Sequence, residues 1–219
     1  MRLFGKFALA LGIVALSASP AWAQGRGGFG MMGMGGGSRL LTNEGVQKEI
    51  KATEDQISKL NTLGEELGAK GREAFQGFQD LGDEERREKM ASVSKMMAEE
   101  VEKGLKEILK PEQVKRFQQI ELQQAGYAAF AMPRVSAALK LTEEQKEKLA
   151  GVTEDMAGAM REAFQAAQGD REAMMAKMRE LRKEGMDKAV AVLTDEQKAT
   201  WKDMTGEPFE VQFQPRRPN

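Results

Sequence analysis

The chain has 219 residues, with 33 basic and 34 acidic side chains and neither cysteine nor histidine. Without cysteine there is no disulfide framework and no thiolate chemistry; without histidine the commonest metal ligand and the commonest general base are gone. A net charge of −1 supplies no electrostatic basis for nucleic-acid binding.

The chain opens as an export signal. Arg2 and Lys6 precede an apolar run from Phe7 to Leu16, and Ala21-Trp22-Ala23 ends it as small-x-small. This is the pattern of a secretory leader, residues 1–23, cut after Ala23. The run is shorter than the roughly 20 apolar residues that span a bilayer, and no later stretch is apolar enough. The mature chain is therefore expected in the periplasm with no integral membrane segment. Loss of Arg2 and Lys6 leaves it with 31 basic and 34 acidic groups.

Residues 24–39 are Gly-rich and read as a flexible linker. Met31, Met32 and Met34 lie in it. Three thioethers could hold Cu(I), but the simpler reading is a disordered leader with incidental methionines, and neither a metal site nor a cofactor is assigned.

From Leu40 the periodicity becomes helical. Val46 to Ile50 predicts a short lead-in helix. Ile57, Leu60, Gly64, Leu67, Gly71, Phe75 and Phe78 then fall at steps of three or four, one apolar stripe on a helix. Gly82-Asp83 breaks it, and Met90, Val93, Met97, Val101, Leu105 and Ile108 mark a returning helix. Pro111 opens a third helix that carries Val114, Phe117 and Ile120 and fades near Gly126.

Val135 to Leu139 starts the plan again. Leu149, Val152, Met156, Met160, Ala163 and Ala167 form the outgoing stripe, Gly169-Asp170 the turn, and Met174, Met178, Leu181, Ala189 and Val192 the returning stripe. A last helix from Thr194 to Met204 holds Trp201 and stops at Gly206-Glu207-Pro208.

Each long helix pair is bracketed by a helix-start motif. Leu141-Thr142-Glu143-Glu144-Gln145 and Leu193-Thr194-Asp195-Glu196-Gln197 are full copies. Ala52-Thr53-Glu54-Asp55-Gln56 and Leu109-Lys110-Pro111-Glu112-Gln113 are near-copies. Thr at the cap and Gln three residues on make a capping box, so Thr53, Gln56, Gln113, Thr142, Gln145, Thr194 and Gln197 are predicted helix-start residues.

The pentapeptide Arg72-Glu73-Ala74-Phe75-Gln76 recurs as Arg161-Glu162-Ala163-Phe164-Gln165 at an offset of 89, while the later boxes align at 84. The chain therefore contains an internal duplication whose second copy is five residues shorter. The fold class is all-α: two tandem long helical hairpins with short flanking helices. The repeats occupy residues 40–128 and 129–206, and residues 207–219 form an extended or disordered tail. Antiparallel packing would bring both boxes of a repeat together at its open end.

A leucine, a threonine and a glutamine in this spacing, paired in an exported helical chain, resemble the LTxxQ motif of the Spy/CpxP family of periplasmic stress proteins. Leu141 to Gln145 and Leu193 to Gln197 match fully; Ala52 lacks the leucine, and Lys110-Pro111 replaces Thr and its neighbour. The resemblance implies an all-α cradle and ATP-independent binding of unfolded or partly folded proteins. Family members commonly pair as homodimers with two motifs per chain; four motifs here suggest a monomeric pseudo-dimer, with a homodimer the alternative. Family members are often basic, whereas Arg26 and Arg39 precede the helical segment and residues 207–219 balance, leaving 40–206 at −5.

The function expected is that of a periplasmic chaperone-like protein. The alternatives are a stress- or metal-sensing accessory protein and a non-catalytic structural protein of the envelope. Met90, Met97, Met174 and Met178 follow the stripes and are expected to face the partner helix; Met96 and Met175 lie off them and are the expected client contacts. No catalytic residue is assigned, because the acidic pairs Glu143-Glu144 and Asp195-Glu196 sit where a helix N-terminus favours negative charge.

Phe209, Val211 and Phe213 alternate with polar residues, as an extended strap would. Gly64, Gly68, Gly71 and Gly77 are expected to loosen the first outgoing helix, with close helix packing at Gly64 and Gly68 the competing reading.

Overall fold

The computed structural model describes residues 36–167 and 169–213. The leader, Met31, Met32, Met34 and residues 214–219 lie outside them. The described chain is helical, with no strand among the described residues, and no described helix is long and apolar enough to cross a membrane.

The first unit contains α1 (Gly36–Leu41), α2 (Glu44–Glu49), α3 (Glu54–Ala74), α4 (Asp83–Ile108) and α5 (Pro111–Ala125). A 3₁₀ segment, Gly126–Ala131, leads into α6 (Pro133–Ala138), α7 (Glu143–Ala166), α8 (Arg171–Ala191) and α9 (Asp195–Thr205). Helices α3 and α4 pack as one hairpin, α7 and α8 as the other. The five-residue deficit of the second copy appears in the returning arm, where α4 has 26 residues and α8 has 21.

Two details correct the sequence reading. Helix α1 begins inside the Gly-rich stretch, and its Leu40 and Leu41 are fully buried in the first core, so residues 36–39, read as linker, are helical. The outgoing stripe also ends early: α3 stops at Ala74, and Phe75 meets Phe78 edge-on across the turn, with ring centroids 5.2 Å apart. Gly77 at φ 69° belongs to that turn, where a left-handed conformation costs glycine nothing, and not to the helix.

Two cores form. Leu40, Leu41, Val46, Ile50, Leu60, Leu105 and Phe117 lie in the first, and Phe130, Val135, Leu139, Leu149, Leu193 and Trp201 in the second. Full burial of one such side chain contributes roughly 1.5–3 kcal/mol. The leucines of the boxes belong to these cores: Leu109 to the first, Leu141 and Leu193 to the second.

The repeat extends further upstream than the boxes show. Leu40-Leu41 of α1 corresponds, at the same offset, to Ala129-Phe130 of the 3₁₀ segment. Phe130 packs against Trp201 at 4.5 Å between centroids. The lead-in helices α2 and α6 end alike, with Lys51 and Lys140 in the left-handed region at φ 53° and 49°. In both, the next residue's amide closes the turn: Ala52 N–H donates to Gln47 O, and Leu141 N–H to Ser136 O.

The units exchange their ends. Leu122, near the end of α5, is buried in the second core, whereas Phe209 and Val211, beyond α9, pack on the first. Tyr127 of the connecting segment lies against Gly185 of α8, where a methyl group would come within 2.5 Å of the ring. The boundary between units is thus crossed in both directions, and a cut at residue 128 would leave parts of each core in the other piece.

Candidate functional site

The capping boxes form as the motif requires. Thr53, Thr142 and Thr194 each accept the amide N–H three residues on, at 3.3, 3.2 and 3.3 Å. The glutamines reply: Gln56, Gln145 and Gln197 Oε1 accept the N–H of Thr53, Thr142 and Thr194 at 3.0, 3.2 and 2.9 Å. At the start of α5 only the reply survives, with Lys110 N–H donating to Gln113 Oε1 at 2.9 Å. Pro111 at the first helical position has no amide N–H, so this start has one orphan donor fewer, although the Gln113 N–H loses its side-chain cap.

The glutamines also pair across each hairpin's open end. Gln56 Nε2 donates to Gln113 Oε1 at 2.9 Å, and Gln113 Nε2 donates back to Gln56 Oε1 at 3.0 Å. In the second unit Gln145 and Gln197 do the same at 2.7 and 3.0 Å. The remaining donors cap helix ends: Gln56 to Ile108 O, Gln113 to Ile50 O and Lys51 O, Gln145 to Val192 O, and Gln197 to Leu139 O, all between 3.0 and 3.1 Å.

Each amide therefore does two jobs. Its oxygen takes an orphan N–H at the start of its own helix, which obliges its nitrogen to face the other way. There it meets the partner amide and an orphan carbonyl at the end of another helical segment. We call this reciprocal pair a clasp. It contains no titratable group. Among the described residues no buried side-chain nitrogen or oxygen lacks a partner.

The surroundings of the two clasps differ. Gln56 and Gln113 are 9% and 8% exposed, whereas Gln145 and Gln197 are half-buried. A polar groove of about 640 Å³ separates the units nearby, with Glu49, Arg116 and Gln119 on one side and Lys202, Asp203 and Glu207 on the other. Arg116 joins its walls, pairing with Glu49 at 2.7 Å and donating to Glu207 O at 2.9 Å.

Apolar exposure is found on the hairpin arms. Met96 on α4 is 36% exposed, Met175 on α8 is 50% exposed and Phe164 on α7 is 56% exposed. Met90, Met97, Met174 and Met178 are half-buried, and Met97 packs on the first core. A shallow cleft of about 530 Å³ between α7 and α8 is floored mainly by alanines, among them Ala159, Ala163, Ala166 and Ala173, with Glu162, Lys177 and Glu184 at its edges.

Phe164 is the residue that sequence reasoning missed. It lies in the repeated pentapeptide, and its counterpart Phe75 packs on Phe78. The position equivalent to Phe78 is Ala167, so the second hairpin does not repeat that aromatic pair. Comparison of the two copies at that one position would have exposed the difference.

The electrostatics are those of a solvated helical surface. Glu144 and Glu184 have lowered pKa values because Lys148 and Lys188 hydrogen-bond their carboxylates, and the pKa of Glu102 is lowered in the same way by Lys106. Tyr127 is raised by burial, with Arg182 opposing. Among the described residues no group of three or more acidic side chains is placed to hold a metal ion. No protein-family model, curated protein or solved structure matches the chain.

Proposed function

We propose that this chain is an exported, ATP-independent chaperone-like protein of the periplasm that holds unfolded or partly folded envelope proteins. The observation that carries the reading is the exposure of Met96 and Met175 on long arms whose other methionines turn inward. Methionine is flexible and polarizable, which suits a surface that must accept many sequences. Phe164 adds a large apolar face to the second hairpin. The clasps complement this arrangement by fixing the open ends of the hairpins, so that the arms project from a rigid base. The paired boxes' likeness to the LTxxQ motif of the Spy/CpxP family, together with the leader, points to the same compartment and task.

The test is light scattering of a chemically denatured client diluted into buffer without nucleotide. Residues 24–219 should slow aggregation at equimolar or excess ratios. Replacing Met96 and Met175 together by lysine should weaken protection while leaving the thermal midpoint nearly unchanged. Absence of protection by the wild-type protein in excess would end the chaperone reading.

A further inference from the structure

The C-terminal strap shows what one surface of the first unit binds. After α9 the chain leaves the helical register at Gly206 and runs extended across to the other unit. Phe209 and Val211, two residues apart, pack on the first core. Phe213 lies at the rim, 44% exposed, with the Arg39 guanidinium 4.8 Å above its ring.

The polar contacts to this strap are made to its main chain. Gln123 Nε2 donates to Glu207 O at 2.8 Å, and Gln123 Oε1 accepts Phe209 N–H at 2.8 Å. Arg116 donates to Glu207 O at 2.9 Å, and Asn43 Nδ2 to Gln212 O at 2.9 Å. A groove that grips peptide groups and takes every second side chain recognises an extended backbone with an apolar alternation, and little else about its sequence. This is the logic by which extended peptides are read elsewhere: main-chain hydrogen bonds for affinity, pockets for alternate side chains.

We propose that the surface between Asn43, Arg116 and Gln123 is a binding groove for extended client segments with apolar residues at i and i+2, and that residues 207–213 are its resident occupant. This rests on the chaperone reading for the nature of the ligand. The strap ends the described chain and belongs to no helix, so it can leave without unwinding one. Its occupancy makes the groove self-blocked, and a client must compete with it.

The experiment uses residues 24–219 and a fluorescein-labelled heptapeptide, Glu-Pro-Phe-Glu-Val-Gln-Phe, the sequence of positions 207–213. Phe209→Ser with Val211→Ser releases the strap in the intact chain. Because a tethered segment competes at about millimolar effective concentration, the released protein should bind the peptide at least about tenfold more tightly than wild type, by anisotropy. Adding Asn43→Asp to the released protein, which keeps the Oδ1 that caps Val46 N–H and removes the Nδ2 donor, should weaken binding by about two- to tenfold, the loss of one hydrogen bond. A peptide of the same composition with Phe and Val adjacent should not bind.

Equal affinity of wild-type and released proteins, or of ordered and rearranged peptides, would overturn the proposal. So would peptide-induced dimerisation without groove dependence, since the strap would then serve a second copy of the chain. Should the double substitution lose helicity, hydrogen exchange on the wild type decides: saturating peptide should deprotect the Phe209 amide, and unchanged protection overturns the proposal. The two readings fail separately. Peptide binding without aggregation suppression retires the chaperone and keeps the groove, whereas suppression unaffected by strap release retires the groove alone.

Discussion

The two units solve one problem with different completeness. In the second, both helix starts have the threonine cap and the glutamine reply, and the glutamine pair is half-buried. In the first, one start lacks the threonine, and the pair is almost fully buried. The hydrogen bonds between the amides are nevertheless the same, down to the capped carbonyls of Ile108 and Val192, 84 residues apart. The comparison separates the parts of the motif. The threonine is dispensable at one start, where the glutamine reply and the amide pair form without it. The glutamine is not, because only a side chain with an acceptor and two donors can serve its own helix start, its partner and a distant helix end.

The largest expected effect follows from burial. Gln113→Ala should cost about 2–4 kcal/mol, since it strips the buried Gln56 amide and two carbonyls of partners that water cannot readily replace. Gln197→Ala in the half-buried clasp should cost about 1–2 kcal/mol. Urea midpoints by circular dichroism check both, and equal losses would show that burial does not set the clasp's energy.

The caps come next. Thr142→Ala and Thr194→Ala should each cost about 0.5–2 kcal/mol. Lys110→Ala, at a start with no side-chain cap, should leave the denaturation midpoint unchanged.

A smaller contrast concerns the outgoing arms. Gly68 and Gly71 have room for a methyl group, with nearest atoms at 3.6 and 3.9 Å, so alanine at each should add about 0.5–1 kcal/mol. At Gly64 a methyl would lie 2.6 Å from Thr42 Cγ2, and alanine there should destabilise. Hydrogen exchange should find residues 57–74 opening faster than 146–163, with Gly68→Ala and Gly71→Ala together narrowing the gap.

The smallest effect is alkaline. Burial raises Tyr127, so its neutral form favours the folded state. That contribution is complete below the unfolded value of about 10 and is lost as pH rises through the folded one. Tyr127→Phe should therefore flatten part of the loss of stability above that pH, measured by the fluorescence of Trp201.

Local chemistry made the helix starts legible, because a capping box is complete within four residues. The clasp was not legible. A box accounts for the glutamine oxygen but leaves the nitrogen unassigned, and its partners lie 52 or 57 residues away. Helix α1 was hidden because glycine-rich composition outweighs the two leucines that anchor it. The alternation of Phe209 and Val211 announced an extended strap, but nothing local says that it crosses to the other unit. At Gly64 both flexibility and close packing were open, and only the approach of α1 decides for packing.

The central claim, that paired glutamines close each hairpin, is tested most directly by a double-mutant cycle on Gln56 and Gln113. Once Gln113 is alanine, the reciprocal bonds of Gln56 are already gone. The double alanine variant should therefore cost clearly less than the sum of the two single substitutions, read from urea midpoints. Losses that add to within about 0.3–0.5 kcal/mol, as for independent sites, would contradict the clasp.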